Sequence, residues 1–334
     1  MSLRCPYCLT DLGVSAVNSS GSYQCSNCQS IIPRTYIEHR DTPKSMVGVV
    51  GFSGHGKTLY LTSLFSTLSK FSQYWPSFYY RSLDDYTHKI LYEQVPLFEE
   101  GKLPESTPVN FPNPALIHYH EIPSFRNCYI GFYDTAGEVF TDASQIYRTG
   151  YFVAHSDTIL FIISLLDCNQ NRLDEEMTGL LDTYIRAVAD NLSVDLKTRQ
   201  RIVVIFTKAD LLNGVIPAEL SNSLKLGLNS WYLNSLSERV LELMDLSNAI
   251  EEWLLQEKQC NRFVNMLRDQ FLEVRFTLVA SITEKNEQGI FDSYRVLDPF
   301  LWLCSFTKND FSFNSQNTDN QKKSWWQRIK EIWQ

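Results

Sequence analysis

The stretch Gly51-Phe52-Ser53-Gly54-His55-Gly56-Lys57-Thr58 constrains this chain more than any other feature. It follows the apolar run Met46–Val50, which predicts a strand, and precedes Leu59-Tyr60-Leu61, which opens a helix. In that setting the pattern G-x-x-x-x-G-K-[ST] is a phosphate loop. Small residues let successive backbone N–H groups face the phosphates at a helix N-terminus, where the peptide dipoles favour an anion. Lys57 is placed to reach the β- and γ-phosphates and Thr58 to ligate Mg2+ through its hydroxyl, while Gly51, Ser53, Gly54, His55, Gly56 and Leu59 complete the binding stretch. A strand leading into a helix through such a loop requires a sheet covered by helices.

Two downstream motifs choose the base. Cys128–Tyr133 reads as a strand ending at Asp134-Thr135-Ala136-Gly137-Glu138, a D-x-x-G in which Asp134 holds Mg2+ through water and the Gly137 N–H senses the γ-phosphate. Arg201–Phe206 is a further apolar strand, and Thr207-Lys208-Ala209-Asp210 at its end is a variant of the N-K-x-D guanine motif. A buried carboxylate such as Asp210 accepts from the N1 and 2-amino groups of guanine, a donor pair adenine lacks, and is left unpaired by the wrong base. The stem of Lys208 is expected to cover one purine face. Thr207 stands where Asn is usual, so a hydroxyl must replace an amide as the link to the phosphate loop.

The first residues carry separate chemistry. Cys5-Pro6-Tyr7-Cys8 and Cys25-Ser26-Asn27-Cys28 are two Cys-x-x-Cys knuckles, which together give the four thiolates of a closed, structural zinc site. A segment of roughly forty residues cannot build a sufficient core alone, so metal binding is expected to supply its folding energy. Thr35-Tyr36 is expected to end its small ribbon. The ligands do not say what the ribbon contacts; the formal charge of −8 favours protein and argues against nucleic acid.

The apolar run Thr158–Leu166, followed by an amphipathic pattern over about 173–192, continues an alternation of strands and helices that predicts a mostly parallel sheet. Sites then fall at the strand C-terminal ends, where the nucleotide motifs lie. The fold class expected is α/β, with a zinc ribbon at 1–36, a linker at 37–45, a nucleotide-binding domain at 46–306 and a helical insertion at about 213–272. The apolar spacing through Trp253, Leu254, Leu255, Phe263, Met266 and Leu267 in that insertion reads as core packing. Residues 307–321 are polar and aperiodic, a linker. Residues 322–334 form a short amphipathic segment with Trp325, Trp326, Ile329, Ile332 and Trp333 on one face and basic flanks. Such a segment suits an anionic membrane surface, a groove in another protein, or its own domain. No run reaches the roughly 18–20 apolar residues of a membrane span, and no signal-peptide pattern opens the chain, so a cytoplasmic location is expected, with peripheral contact at the inner membrane surface through the tail.

Taken together, the three nucleotide motifs resemble the translation-factor-related and Ras-like branch of GTPases over roughly Ser45 to Phe306. The zinc ribbon, the stretch Gly101–Thr107 and the late segment Arg295–Trp302 are similar to the bacterial double-GTPase-like domains of conflict and stress systems. The resemblance implies a P-loop GTPase fold with GTP or GDP, Mg2+ and Zn2+ as cofactors. It places Ala280-Ser281, at the end of the apolar run from Phe276, in the short loop over guanine O6. It requires a switch threonine on Mg2+, for which Thr107 is the candidate, with an ordinary turn residue as the alternative. Glu138 stands where Ras-like proteins carry a water-orienting Gln; near a γ-phosphate its carboxylate adds like charge and slows hydrolysis, or acts as a base. Arg148 is the candidate for a cis finger, with an ordinary surface arginine as the safer reading. The expectation is therefore a slow GTPase switch, with Lys57, Thr107, Gly137 and Glu138 in the reaction, controlling an effector, activator or self-assembly in a defence or stress system. The alternative is a non-hydrolysing scaffold that recruits partners through ribbon and tail.

Overall fold

The computed structural model describes residues 3–12, 22–105, 112–123, 125–141, 144–146, 152–190, 192–212, 214–225, 236–283, 285 and 291–307. Thr107, Arg148 and the tail at 322–334 lie outside them.

Two strands, β1 (Tyr23–Gln24) and β2 (Ile31–Ile32), pair antiparallel in the ribbon. Seven more form one sheet: β3 (Lys44–Val50), β4 (Tyr79–Ser82), β5 (Ala115–Ile122), β6 (Arg126–Asp134), β7 (Thr158–Ser164), β8 (Arg201–Thr207) and β9 (Glu273–Leu278), in the order β4-β5-β6-β3-β7-β8-β9. The pairings β6·β3, β3·β7, β7·β8 and β8·β9 are parallel, and β4·β5 and β5·β6 antiparallel. The sheet is thus mostly parallel, as the alternation predicts, with an antiparallel edge. Every residue of β7 is buried, because a parallel strand covered on both faces has no solvent side to mark by polar alternation.

Alternate strand residues feed two cores. Met46, Val50, Phe161, Ile163, Val204 and Phe206 face one side, with α2 (Leu173–Ile185) and α4 (Asn261–Gln270); Val47, Val49, Leu160, Ile162, Val203 and Ile205 face the other, with α1 (Lys57–Ser69) and α5 (Asp298–Thr307). The helix α3 (Leu236–Gln256) sends Val240 and Leu243 into the second core and Leu246, Ile250, Trp253 and Leu254 into the first. The apolar stripe of the insertion therefore covers the sheet. Phe263 and Leu267 are buried, while Leu255 and Met266 pack at the edge.

The ribbon is not a free appendage. Cys5, Leu9, Cys25, Ile32, Tyr36 and Ile37 join the same core as Met46, Tyr133 and Phe152, so apolar burial against the sheet helps to hold the ribbon. Thr35-Tyr36 do not end the ribbon as a strand. They lie in a short helix, Arg34–Glu38, which buries Tyr36 and Ile37 and lets the Tyr36 hydroxyl donate to Arg4 O at 3.1 Å. The next strand begins at Lys44, inside the expected linker.

Candidate functional site

The strand order reverses at β3, with β6 on one side and β7 on the other, and the crevice beyond the C-terminal ends of such strands is where ligands bind in open α/β sheets. Gly51–Gly56 fill that crevice between β3 and α1. Gly56 caps α1 in the left-handed region, φ 87°, which favours a residue without Cβ, and Tyr60 N–H donates to Gly56 O at 2.8 Å. The first-turn N–H groups of Lys57, Thr58 and Leu59 precede that bond and point along the axis towards the loop.

Two side-chain contacts join the motifs, and a third side chain folds back within the phosphate loop. Thr58 Oγ1 donates to Asp134 Oδ2 at 2.7 Å, uniting the helix start with the end of β6. Lys57 Nζ donates to Gly51 O and Phe52 O, both at 3.0 Å, folding the ammonium across the loop; burial lowers its pKa, against the charges of Asp134 and Glu138. Thr207 Oγ1 donates to His55 O at 2.8 Å, so the hydroxyl does reach the phosphate loop where an amide would have been usual.

Gly137 explains its own identity, since a Cβ there would stand 2.0 Å from Ser53 N. The D-x-x-G segment lies directly on the phosphate loop. Glu138 is exposed and its pKa is lowered by hydrogen bonding to its own backbone N–H and to Ser53, with a contribution from Lys57. An ionised, weakly basic carboxylate at this place is a poor proton acceptor. His55 turns inward: its ring is buried, Nδ1 accepts from Ser164 N–H at 3.3 Å, and burial lowers its pKa, so it is a neutral support of the loop.

The candidate base end is assembled from residues at the ends of β8, β9 and β7. Ala209 N–H donates to Val279 O at 3.2 Å and Val279 N–H to Phe206 O at 2.8 Å, bringing Ala280-Ser281 beside Asp210. Ala280 pairs with Tyr294 through both backbone bonds, and Ser293 Oγ bridges Ser281 O at 2.8 Å and Ser63 Oγ of α1 at 2.7 Å. The Ser281 hydroxyl is buried and, among the described residues, has no hydrogen-bond partner, as a group set aside for a ligand would be. Burial raises the pKa of Asp210. Lys208 adopts φ 55° and its Nζ donates to Asp167 Oδ2 at 2.5 Å, just past the end of β7. Asp167 and Ser293 were not singled out from the sequence. The rule that sites gather at strand C-termini points to Asp167; nothing local marks Ser293.

The residues present fit the implied groups. A carboxylate beside a hydroxyl is an oxygen donor set suited to Mg2+, and Asp210 with the Ser281 hydroxyl offers acceptor and polar partners for a guanine edge. Beside Thr58 and Asp134 a cavity of about 580 Å3 runs under Tyr86, Phe65 and Leu103 towards Glu105, from which the stretch containing Thr107 departs.

The zinc site fits as well. The ligand sulfurs of Cys5, Cys8, Cys25 and Cys28 lie within 4.8 Å of one another, with Cys8–Cys25 at 3.6 Å and Cys5–Cys28 at 3.8 Å. Sulfurs about 2.3 Å from a tetrahedral ion stand roughly 3.8 Å apart, so the cage is near its filled size. The two knuckles repeat one turn: Leu9 N–H donates to Cys5 O and Gln29 N–H to Cys25 O, with φ of 61° and 62° at Leu9 and Gln29. Burial opposes ionisation of Cys8, but the Thr10 hydroxyl and backbone outweigh it and bring its pKa to about 6.

The model of the family described as Double-GTPase 2 matches residues 45–286. No curated protein matches the chain. Among the described residues no helix is long and apolar enough to cross a membrane.

Proposed function

This chain belongs to the Double-GTPase 2 family, and we propose that it is a Mg2+-dependent guanine-nucleotide switch that hydrolyses GTP slowly. The observation that carries the reading is the hydrogen bond from Thr58 to Asp134, together with the seating of Gly137 on Ser53: the phosphate loop and D-x-x-G are in contact through the residues each needs for a metal and a γ-phosphate. Lys57 and the first turn of α1 hold the phosphates, Thr58 and Asp134 hold Mg2+, and Asp210 with Ala280-Ser281 reads guanine. Bound Mg2+ supplies charge neutralisation on the transferring phosphoryl group.

Glu138 sets the rate. Its carboxylate stays ionised beside the loop and brings negative charge towards the γ-phosphate instead of a neutral amide that orients water. Turnover is then slow alone and faster when a partner or self-assembly supplies positive charge, which makes an effector-coupled switch a better use of the site than steady hydrolysis. Thr107 completes the metal shell in this reading. The process controlled, a defence or stress response, is carried over from the resemblance.

The test is bound-nucleotide analysis and phosphate release for the parent beside Lys57→Ala and Asp210→Asn. GTP and GDP are expected to bind the parent, K57A to lose both, and D210N to lose guanine preference. Tighter binding of ATP than of GTP by the parent sinks the guanine assignment.

A further inference from the structure

The first cysteine knuckle makes two hydrogen bonds to residues next to the Mg2+ end of the nucleotide site. Tyr7, between Cys5 and Cys8, donates its hydroxyl to Asp84 Oδ2 at 2.9 Å. The other oxygen of Asp84 accepts from Thr87 N–H at 2.7 Å and so caps the helix Asp85–Lys89. Within that helix, Thr87 Oγ1 accepts from Leu116 N–H at 2.8 Å, fixing it to β5. Tyr86, in the same helix, lines the cavity shared with Thr58 and Asp134, and its hydroxyl is pushed up in pKa by burial and then by the charges of Asp134 and Asp84. On β6, Tyr133 is wholly buried, immediately precedes Asp134, and donates its hydroxyl to Pro6 O at 2.5 Å.

Pro6 and Tyr7 are the two residues between the first pair of cysteines, so the sulfurs on either side fix their positions. A filled four-thiolate cage orders its knuckles, and an empty one releases them. The knuckle therefore holds, through two hydroxyls, the residue before Asp134 and the cap of the helix whose Tyr86 lines the same cavity as Asp134.

We propose that the zinc knuckle braces the Mg2+ site: Tyr7 and Tyr133 are positioning residues that keep Asp134 and the Asp84–Lys89 segment in register with Thr58, so that loss of zinc weakens Mg2+-dependent retention of the nucleotide. The inference rests on the GTP–Mg2+ reading above. It gives the ribbon an internal task, distinct from recruiting a partner. Tyr7 is the sharper probe because its hydroxyl serves a carboxylate, and hydrogen bonds to charged groups are the stronger class.

The experiment uses the full zinc-loaded chain and Tyr7→Phe, which keeps the ring and all four cysteines. Three quantities are measured: zinc per chain, affinity for a fluorescent GDP analogue in Mg2+-free buffer, and the Mg2+ concentration giving half-maximal retention of that analogue. Expected are equal zinc content, equal Mg2+-free affinity, and a Mg2+ requirement raised about fivefold or more in Y7F, the effect of losing one charge-assisted hydrogen bond. An unchanged Mg2+ requirement overturns the brace, as does a loss of affinity that is the same with and without Mg2+, which marks a merely structural contact. If the parent binds no guanine nucleotide, the proposed function fails, and amide exchange then decides the brace. Faster exchange at Thr87 in Y7F upholds it, and unchanged exchange overturns it.

Discussion

Thr207→Val removes the hydrogen bond by which the end of β8 holds the phosphate loop. Valine keeps the volume and the β-branched shape suited to the end of β8, where Thr207 is 2% exposed, but replaces Oγ1 with a methyl. The bond lost is 2.8 Å long and ends on His55 O; a second carbonyl, Ile163 O, lies 3.4 Å from the same hydroxyl. Removing the donor strands a buried acceptor at a cost of about 1–3 kcal/mol. If the bond orders the loop for phosphate, that energy emerges as about 5- to 150-fold weaker GDP binding. If it only fastens two strands together, the same energy emerges as a lower unfolding midpoint, about 2–4 °C per kcal/mol in a domain of this size. Isothermal titration with GDP and a thermal melt of the free protein, run on parent, T207V and Thr207→Asn, separate the two. The expected result is weakened binding in T207V and recovery in T207N, whose amide can donate to the same carbonyl. GDP affinity within twofold of the parent, with a lowered melt, would refute the coupling.

Gly137→Ala drives a Cβ to within 2.0 Å of Ser53 N, so either the loop or the D-x-x-G segment must move; nucleotide binding measured by filter retention is expected to fall at least about tenfold with modest change in stability. Cys25→Ser breaks the closed cage, and metal analysis with denaturant melts is expected to show loss of zinc and a destabilisation of several kcal/mol, softened because the ribbon also buries Leu9, Ile32 and Tyr36 against the sheet. His118 is buried beside His120, His39, Arg81 and Lys44, and burial followed by those charges lowers its pKa to about 3. A base whose folded pKa is depressed contributes stability that is complete above its unfolded pKa of about 6.5 and is lost as pH falls towards the folded one. Urea melts at pH 7 and pH 5 are therefore expected to differ by about 1–2 kcal/mol from this group, and His118→Phe to flatten that part of the slope; an equal slope in the variant contradicts the assignment.

The nucleotide motifs were legible because each is local. A phosphate loop needs its glycines, Lys57 and Thr58 within eight positions, and D-x-x-G and T-K-x-D sit at the ends of apolar strands whose hydrophobic runs are read directly. The cysteine knuckles are local in the same sense. The structure adds that β3 starts at Lys44 and that α1 starts at Lys57, shifts of two residues at element ends, where pairing and capping rather than pattern set the limit. Thr35-Tyr36 were misread as strand because a β-branched residue and an aromatic favour strands in isolation; burial of Tyr36 against Tyr129, with rings 5.6 Å apart, selects the helix.

Other features belonged to no window of sequence. Tyr7 meets Asp84 across 77 residues, Tyr133 meets Pro6 across 127, and Lys208 meets Asp167 across 41, and none of these pairs carries a periodicity or a spacing rule. The sequence by itself marked the candidate chemistry, a phosphate loop, carboxylates at the ends of two strands and two cysteine knuckles, because each of these patterns is written in neighbours along the chain. Only the tertiary structure decided that the cysteine cluster lies against the sheet, that Tyr7 donates to Asp84, the cap of the helix Asp85–Lys89, and that His55 faces inward, because a side chain's partner is set by which surfaces the sheet brings together, and burial fixes that choice across distances the local pattern does not span.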